Sequence, residues 1–371
     1  PNNTTVYNHY VSHQFKVNYS VASLKTAAAF LNQPEVTNLI KYDVSVFTVV
    51  YKTMFKGSMI NCSGLVFLPA NPPAPSPLVS IQHGTTFVKT DVPSVTTSPT
   101  GGELVASMGF VAIMPDFIGY GASSTVFHPY YDAQYSGTSI VDMIKAVKEM
   151  STKLNVPIND KLFLTGYSEG GYVTLAAAKE IQDNPSHKLN LTAASAGAGA
   201  YDLPSFLTYL TNTNYFSYPA YLAFIVASYK NTYDWTQGYD YFFNSKYAQK
   251  IPDLLNGLND GSAINAQLTT NPDSLFNPVF YNGMKNKTEV IFYDALVKND
   301  LSSWKPMFPL RLYHGTEDEI IPIQNSTITY QKFIEKGSPN VTFIGIPGAN
   351  HGTGVLPMLQ STMQWFLELT K

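Results

Sequence analysis

Residues 161–172, Lys-Leu-Phe-Leu-Thr-Gly-Tyr-Ser-Glu-Gly-Gly-Tyr, decide how the chain is read. Leu162 to Thr165 favour a strand, and an alanine-rich helical pattern runs from Val173 to Glu180, so the order is strand, tight turn, helix. Between them stands G-x-S-x-G. In that setting the pattern predicts a nucleophile elbow, where the serine takes a strained backbone conformation that lifts its hydroxyl clear of the sheet edge. Gly166 and Gly170 fall where a side chain would strike a neighbouring strand or helix. Ser168, at the head of the next helix, also faces free backbone N–H groups and the positive end of the helix dipole, the field that acyl transfer requires. G-x-S-x-G occurs by chance in many Gly-rich turns; the strand before it and the helix after it give this one a functional reading.

Outward from the elbow, short apolar runs alternate with helical patterns. Upstream lie a helix over Ser20 to Leu31, an antiparallel hairpin over Val44 to Leu68, and a buried strand Leu78–Ile81 running into Gln82-His83-Gly84-Thr85-Thr86. A helix near Gly102–Met108 follows, then a strand Phe110–Met114 ending in Asp116-Phe117-Ile118-Gly119-Tyr120-Gly121, and a helix Gly137–Leu154. Downstream come strands at Leu191–Ala198, Leu310–Tyr313 and Val341–Ile346 and a last helix Leu356–Leu369. Short apolar strands between helices predict an α/β fold, a mostly parallel sheet with helices on both faces. Ligands of such sheets bind at the strands' carboxyl ends, where Thr85, Asp116 to Gly121 and Ser168 all fall. From 204 to 305 the rhythm breaks into aromatic-rich helical stretches, too long for a loop, and predicts an inserted, mainly helical cap. The expected domains are a helical N-terminal extension (1–42), a core (43–203 and 306–371) and the cap or lid (204–305).

Charged residues make up only 13% of the 371 residues, the net charge is −3, and Arg311 is the single arginine. That composition carries no basic footprint for nucleic acid or anionic lipid. Cys62 is the only cysteine, which excludes an internal disulfide and a cysteine zinc cluster, and the seven histidines lack ligand spacing, so no metal and no cofactor is expected. No apolar run is long enough to span a bilayer. The chain opens at Pro1 without an initiator Met or signal-like stretch, which suggests a processed mature form or a trimmed chain, and the low-charge surface favours a secreted or periplasmic protein.

A serine hydroxyl needs a base, and the base an orienting acid. After Ser168 the histidines are His187, His314 and His351. His351 lies in a glycine-flanked loop between the last strand and the last helix, where it can reach the elbow. His187, in a hydrophilic turn, reads as solvated. His314 precedes an acidic loop, Gly315 to Pro322, and suits a structural role. Asp318 is the acid of choice in that loop, with Glu317 and Glu319 as alternatives. The developing oxyanion needs two N–H donors: that of Glu169 and that of Thr85 or Thr86, with Thr85 preferred.

QHGTT, PDFIGYGAS, GYSEGG, HGTEDEIIP and GANHG, in this order, resemble the α/β-hydrolase superfamily, and within it the secretory-lipase and related bacterial esterase group. The resemblance covers about 44–203 and 310–371 and implies the α/β-hydrolase fold, with nucleophile, acid and base at Ser168, Asp318 and His351. Because disulfides are impossible, the bacterial esterase branch is the nearer fit. The expected activity is carboxylic ester hydrolysis through an acyl-enzyme, by an esterase or lipase acting on a small-molecule ester of short or medium acyl chain or an aromatic ester. Thr86, Tyr120 and Tyr167 are the expected substrate-binding residues. A peptidase or acyltransferase on the same triad, or a catalytically silent binding protein, are the alternatives.

Overall fold

The computed structural model describes residues 8–30 and 34–371. Its frame is a nine-stranded sheet in the order β1-β2-β3-β5-β4-β6-β7-β8-β9. The strands are β1 (Tyr10–Tyr19), β2 (Val44–Phe55), β3 (Ser58–Pro69), β4 (Ser76–Gln82), β5 (Val111–Pro115), β6 (Ile158–Tyr167), β7 (Leu191–Gly197), β8 (Leu310–Gly315) and β9 (Val341–Ile346). β2 and β3 form the predicted hairpin, in register from Val44↔Pro69 to Phe55↔Ser58. It closes through Lys56 and Gly57, both at positive φ (49° and 76°), a turn whose twist matches that of the strands. β3 pairs antiparallel with β5, and from β5 through β9 every pairing is parallel.

The inner parallel strands β4, β5, β7 and β8 are almost wholly buried because helices cover both faces, while the edge strand β9 is largely half-buried. On one side α4 (Ala133–Leu154), α5 (Glu169–Asp183) and α15 (Ile323–Glu335) supply Ile140, Val173 and Phe333 to the larger core. On the other, α1 (Val21–Phe30), α3 (Gly102–Ser107) and α16 (Val355–Thr370) supply Leu24, Ala106 and Phe366. A short α2 (Pro34–Leu39) leads from α1 into β2. α4 starts on an Asp132 side chain that accepts the Tyr135 N–H and stops at Asn155 in the left-handed conformation.

The N-terminal segment differs from its reading as a helical extension. The predicted helix is there as α1, while its expected last residue, Leu31, lies outside the described residues; ahead of it runs β1, ten residues paired antiparallel with β2. β1 is an edge strand held by backbone pairing, and most of its side chains are exposed or half-buried, so it leaves little hydrophobic periodicity to read.

Between β7 and β8 the chain leaves the sheet. The segment opens with α6 (Leu203–Leu210) and α7 (Pro219–Thr232), continues through six short helices, α8–α13, from Tyr239 to Lys285, and ends with α14 (Val290–Lys298). Its aromatic residues largely pack on one another: Phe242, Phe243 and Phe280 are fully buried, and Phe280 meets Phe242 edge-on at 5.2 Å.

Candidate active site

β6 delivers the chain to Ser168, whose backbone sits at φ 61°, ψ −124°. A non-glycine residue there costs about 1–3 kcal/mol and must be held by its surroundings. The hold is visible: Ser168 N–H donates to Gly197 O at 2.8 Å, and the flanking glycines allow contacts no side chain would. A Cβ on Gly166 would lie 2.3 Å from Gly170 O, and one on Gly170 would lie 2.1 Å from Gln82 O at the end of β4. The glycines thus press the start of α5 against the strand whose continuation carries Thr85.

Ser168 Oγ lies 2.9 Å from His351 Nε2, and His351 Nδ1 lies 2.7 Å from Asp318 Oδ2. Residues 183 positions apart meet because the β6 elbow, the loop after β8 and the loop after β9 share one rim of the sheet. A carboxylate only accepts, so Nδ1 carries the imidazole proton and Nε2 turns its lone pair to the serine hydroxyl. The Asp318 side chain is fully buried. Its Oδ1 accepts the Ile320 and Ile321 N–H groups at 2.9 Å each. Burial pushes its acidity toward the neutral form, but hydrogen bonds from His314 and His351 and their positive charge outweigh burial and hold the carboxyl well below its usual range. Of the alternative acids, Glu317 is exposed, and Glu319 reaches only the backbone N–H of His351, at 3.2 Å. His187 pairs with Glu180 at 2.8 Å, outside this cluster.

Glu169 supplies one of the first amides of α5, with no acceptor inside the helix. The Thr85 side chain is tied to Tyr130 OH at 3.1 Å. Neither the Thr85 nor the Glu169 backbone N–H meets an acceptor among the described residues, which leaves both open to an oxyanion.

Ser168 opens into an apolar cavity. Its walls come mainly from the insertion, among them Leu207, Phe216, Leu222, Ile225 and Phe292, with Ile320 and Ile321 from the acid loop. The three expected substrate-binding residues are not among its walls. Thr86 presents its carbonyl to Tyr120 OH at 2.6 Å, which leaves Tyr120 buried behind the loop as a brace. Tyr167 lies beneath His351, ring centroids 5.4 Å apart. Each is next to the serine or its loops in sequence, but Tyr120 and Tyr167 are buried, and the Thr86 hydroxyl bonds to the Val88 backbone within its own loop. Which residues of the aromatic-rich 204–305 would line the cavity gave no sequence signal, since they are scattered over helices of ordinary helical period. Nor did His128, which meets Glu169 at 2.6 Å.

No group of three or more His, Cys, Asp or Glu side chains among the described residues is arranged to hold a metal, and no helix is long and apolar enough to cross a membrane.

A model of the secretory lipase family matches residues 98–368. Lipase 10 of Candida albicans is 23% identical over 269 residues, covering 69% of this chain and 54% of that protein, so the chain spans about half the length of this relative. Among solved structures, a Legionella pneumophila protein superposes with a TM-score of 0.87 at 26% identity, over 98% of this chain and 99% of its own. The rice cell wall degrading esterase LipA from Xanthomonas oryzae gives a TM-score of 0.84 at 22% identity, over 96% and 95%, and shares the fold.

Proposed function

This chain belongs to the secretory lipase family, and from that premise we propose that it is a serine hydrolase cleaving carboxylic esters through an acyl-enzyme. The observation that carries the reading is His351, bonded at once to Ser168 Oγ at 2.9 Å and Asp318 Oδ2 at 2.7 Å, at the mouth of an apolar cavity. Ser168 Oγ attacks the acyl carbonyl carbon and gives its proton to His351 Nε2. The carbonyl oxygen becomes an oxyanion facing the Thr85 and Glu169 N–H groups, while Asp318 stabilises the imidazolium. Collapse returns the proton to the departing alkoxide and leaves an ester on Ser168. Water, deprotonated by the same Nε2, then releases the acid. No step needs a metal or organic cofactor.

The insertion 204–305 acts as the cap that receives the acyl group, and the apolar lining suits esters of short to medium chains or aromatic acids. The family is described as secretory, and export of this chain is part of the same reading. The test is turnover of p-nitrophenyl esters from acetate to palmitate by the protein and by Ser168→Ala, with fluorophosphonate labelling of Ser168. Hydrolysis of the shorter esters, lost in the variant, supports the reading; a palmitate preference that rises at an oil interface moves it to a lipase; an unlabelled, inactive protein overturns it.

A further inference from the structure

Beside the serine lies a buried ion-pairing contact for which the steps above give no role. Glu169 is 1% and His128 5% exposed, and Glu169 Oε1 lies 2.6 Å from His128 Nε2. His128 Nδ1 lies 2.7 Å from Ile118 O, and a carbonyl only accepts, so Nδ1 carries a proton. The contact at Nε2 needs a second proton between nitrogen and carboxylate oxygen. Imidazole and carboxylate together therefore hold no net charge. The phenols of Tyr120, Tyr130, Tyr131 and Tyr221 face the carboxylate, each held above its ordinary value first by burial. Among the described residues no lysine or arginine pairs with Glu169.

His128 is also a mechanical joint. Its ring lies 4.8 Å from Tyr120 and 6.0 Å from Phe117, which stacks in turn on His83 at 4.1 Å. Its carbonyl accepts Ser228 Oγ from α7 at 2.8 Å. Gly119 makes the close approach possible, since a Cβ there would lie 2.7 Å from His128 N. The loop 117–131 thus braces both segments that bear the oxyanion donors: Glu169 through His128, and Thr85 through Tyr130 OH.

We propose that His128 is a positioning residue of the oxyanion site: it holds the first turn of α5 with the Glu169 N–H toward the reacting carbonyl, and its proton cancels a carboxylate that would otherwise oppose the developing oxyanion. The proposal rests on the ester-hydrolase reading. A bare carboxylate in this dry, aromatic setting would repel the transition state far more than the neutral ester, so the effect belongs in kcat.

The experiment compares His128→Gln, Glu169→Gln and the double variant on p-nitrophenyl butyrate, with fluorophosphonate labelling of Ser168 in each. His128→Gln is expected to lose roughly 100-fold in kcat with KM within about twofold, and the double variant to regain about tenfold, because the uncancelled charge is gone. A His128→Gln kcat within about threefold of the parent, or a double variant no better than His128→Gln, overturns the proposal. If His128→Gln does not fold, Glu169→Gln against Glu169→Ala decides: both are neutral, but only glutamine can still donate to His128, so it should label about tenfold faster, and equal rates overturn the positioning role. A parent protein that neither turns over ester nor labels at Ser168 refutes the underlying reading instead.

Discussion

His314 Nε2 lies 3.2 Å from Asp318 Oδ2, the oxygen that also receives His351 Nδ1 at 2.7 Å. The same nitrogen lies 2.8 Å from Ile321 O, and Nδ1 lies 2.7 Å from Ser326 Oγ. His314 therefore spans the acid loop from β8 to α15 and fixes which way the carboxylate faces. Replacing it with Leu strands a buried carbonyl and a serine hydroxyl, so His314→Leu should cost about 2 kcal/mol in urea unfolding and lower ester turnover about tenfold. His314→Gln, which can donate to one partner, should fall between. Turnover unchanged in the leucine variant would show that Asp318 needs no such brace.

Acid stability follows from Asp318. Its folded carboxyl titrates below the usual 3.8, so the unfolded chain binds the proton first. The stabilisation is complete above the unfolded value and is lost as pH falls toward the folded one. The melting temperature should therefore drop as pH goes from about 5 to about 2, and Asp318→Asn should be less stable at neutral pH with a shallower acid slope. Parallel slopes in the two proteins would mean that other carboxylates dominate.

The elbow and its two partners were legible in the sequence because strict local chemistry marks them: Gly166 and Gly170 at contacts no side chain tolerates, and Asp318 and His351 each just past a strand. Long-range contacts were not. His128 and Glu169 belong together only because Gly119 lets one loop pass close by, and no periodicity in either segment records it. β1 escaped for a related reason, since an edge strand can form from backbone pairing with little burial. Thr86, Tyr120 and Tyr167 were read from nearness to the serine in sequence; in the structure the Tyr120 hydroxyl braces the Thr86 carbonyl and Tyr167 lies against His351.

The cavity makes acyl length adjustable. Leu207 on α6 lines it together with Ser168, so Leu207→Trp should shorten the space available. The ratio of p-nitrophenyl dodecanoate to acetate turnover should fall about tenfold, with about 1–3 kcal/mol lost in stability from overpacking. An unchanged ratio would place the acyl chain elsewhere.

Asn325 is one of the points at which the insertion joins the core. Asn325 Oδ1 accepts the N–H groups of Tyr201 and Asp202 at 2.8 and 3.1 Å, and its Nδ2 donates to Asp202 O at 2.8 Å. Asp202 in turn caps α6, accepting Ser205 N–H at 2.9 Å, and meets Lys332 Nζ on α15 at 2.6 Å. One buried amide on α15 thus satisfies the backbone where the chain leaves the sheet. Its burial also keeps the Asn325-Ser326-Thr327 sequon out of reach of glycosylation in the folded protein. Asn325→Ala leaves the Tyr201 and Asp202 N–H groups without a partner, while Asp202 O keeps the Phe206 N–H; the expected result is a cost of about 3 kcal/mol and faster proteolytic cleavage within residues 204–305. If the urea midpoint falls while cleavage within the insertion does not change, the joint stabilises the whole fold without holding the cap.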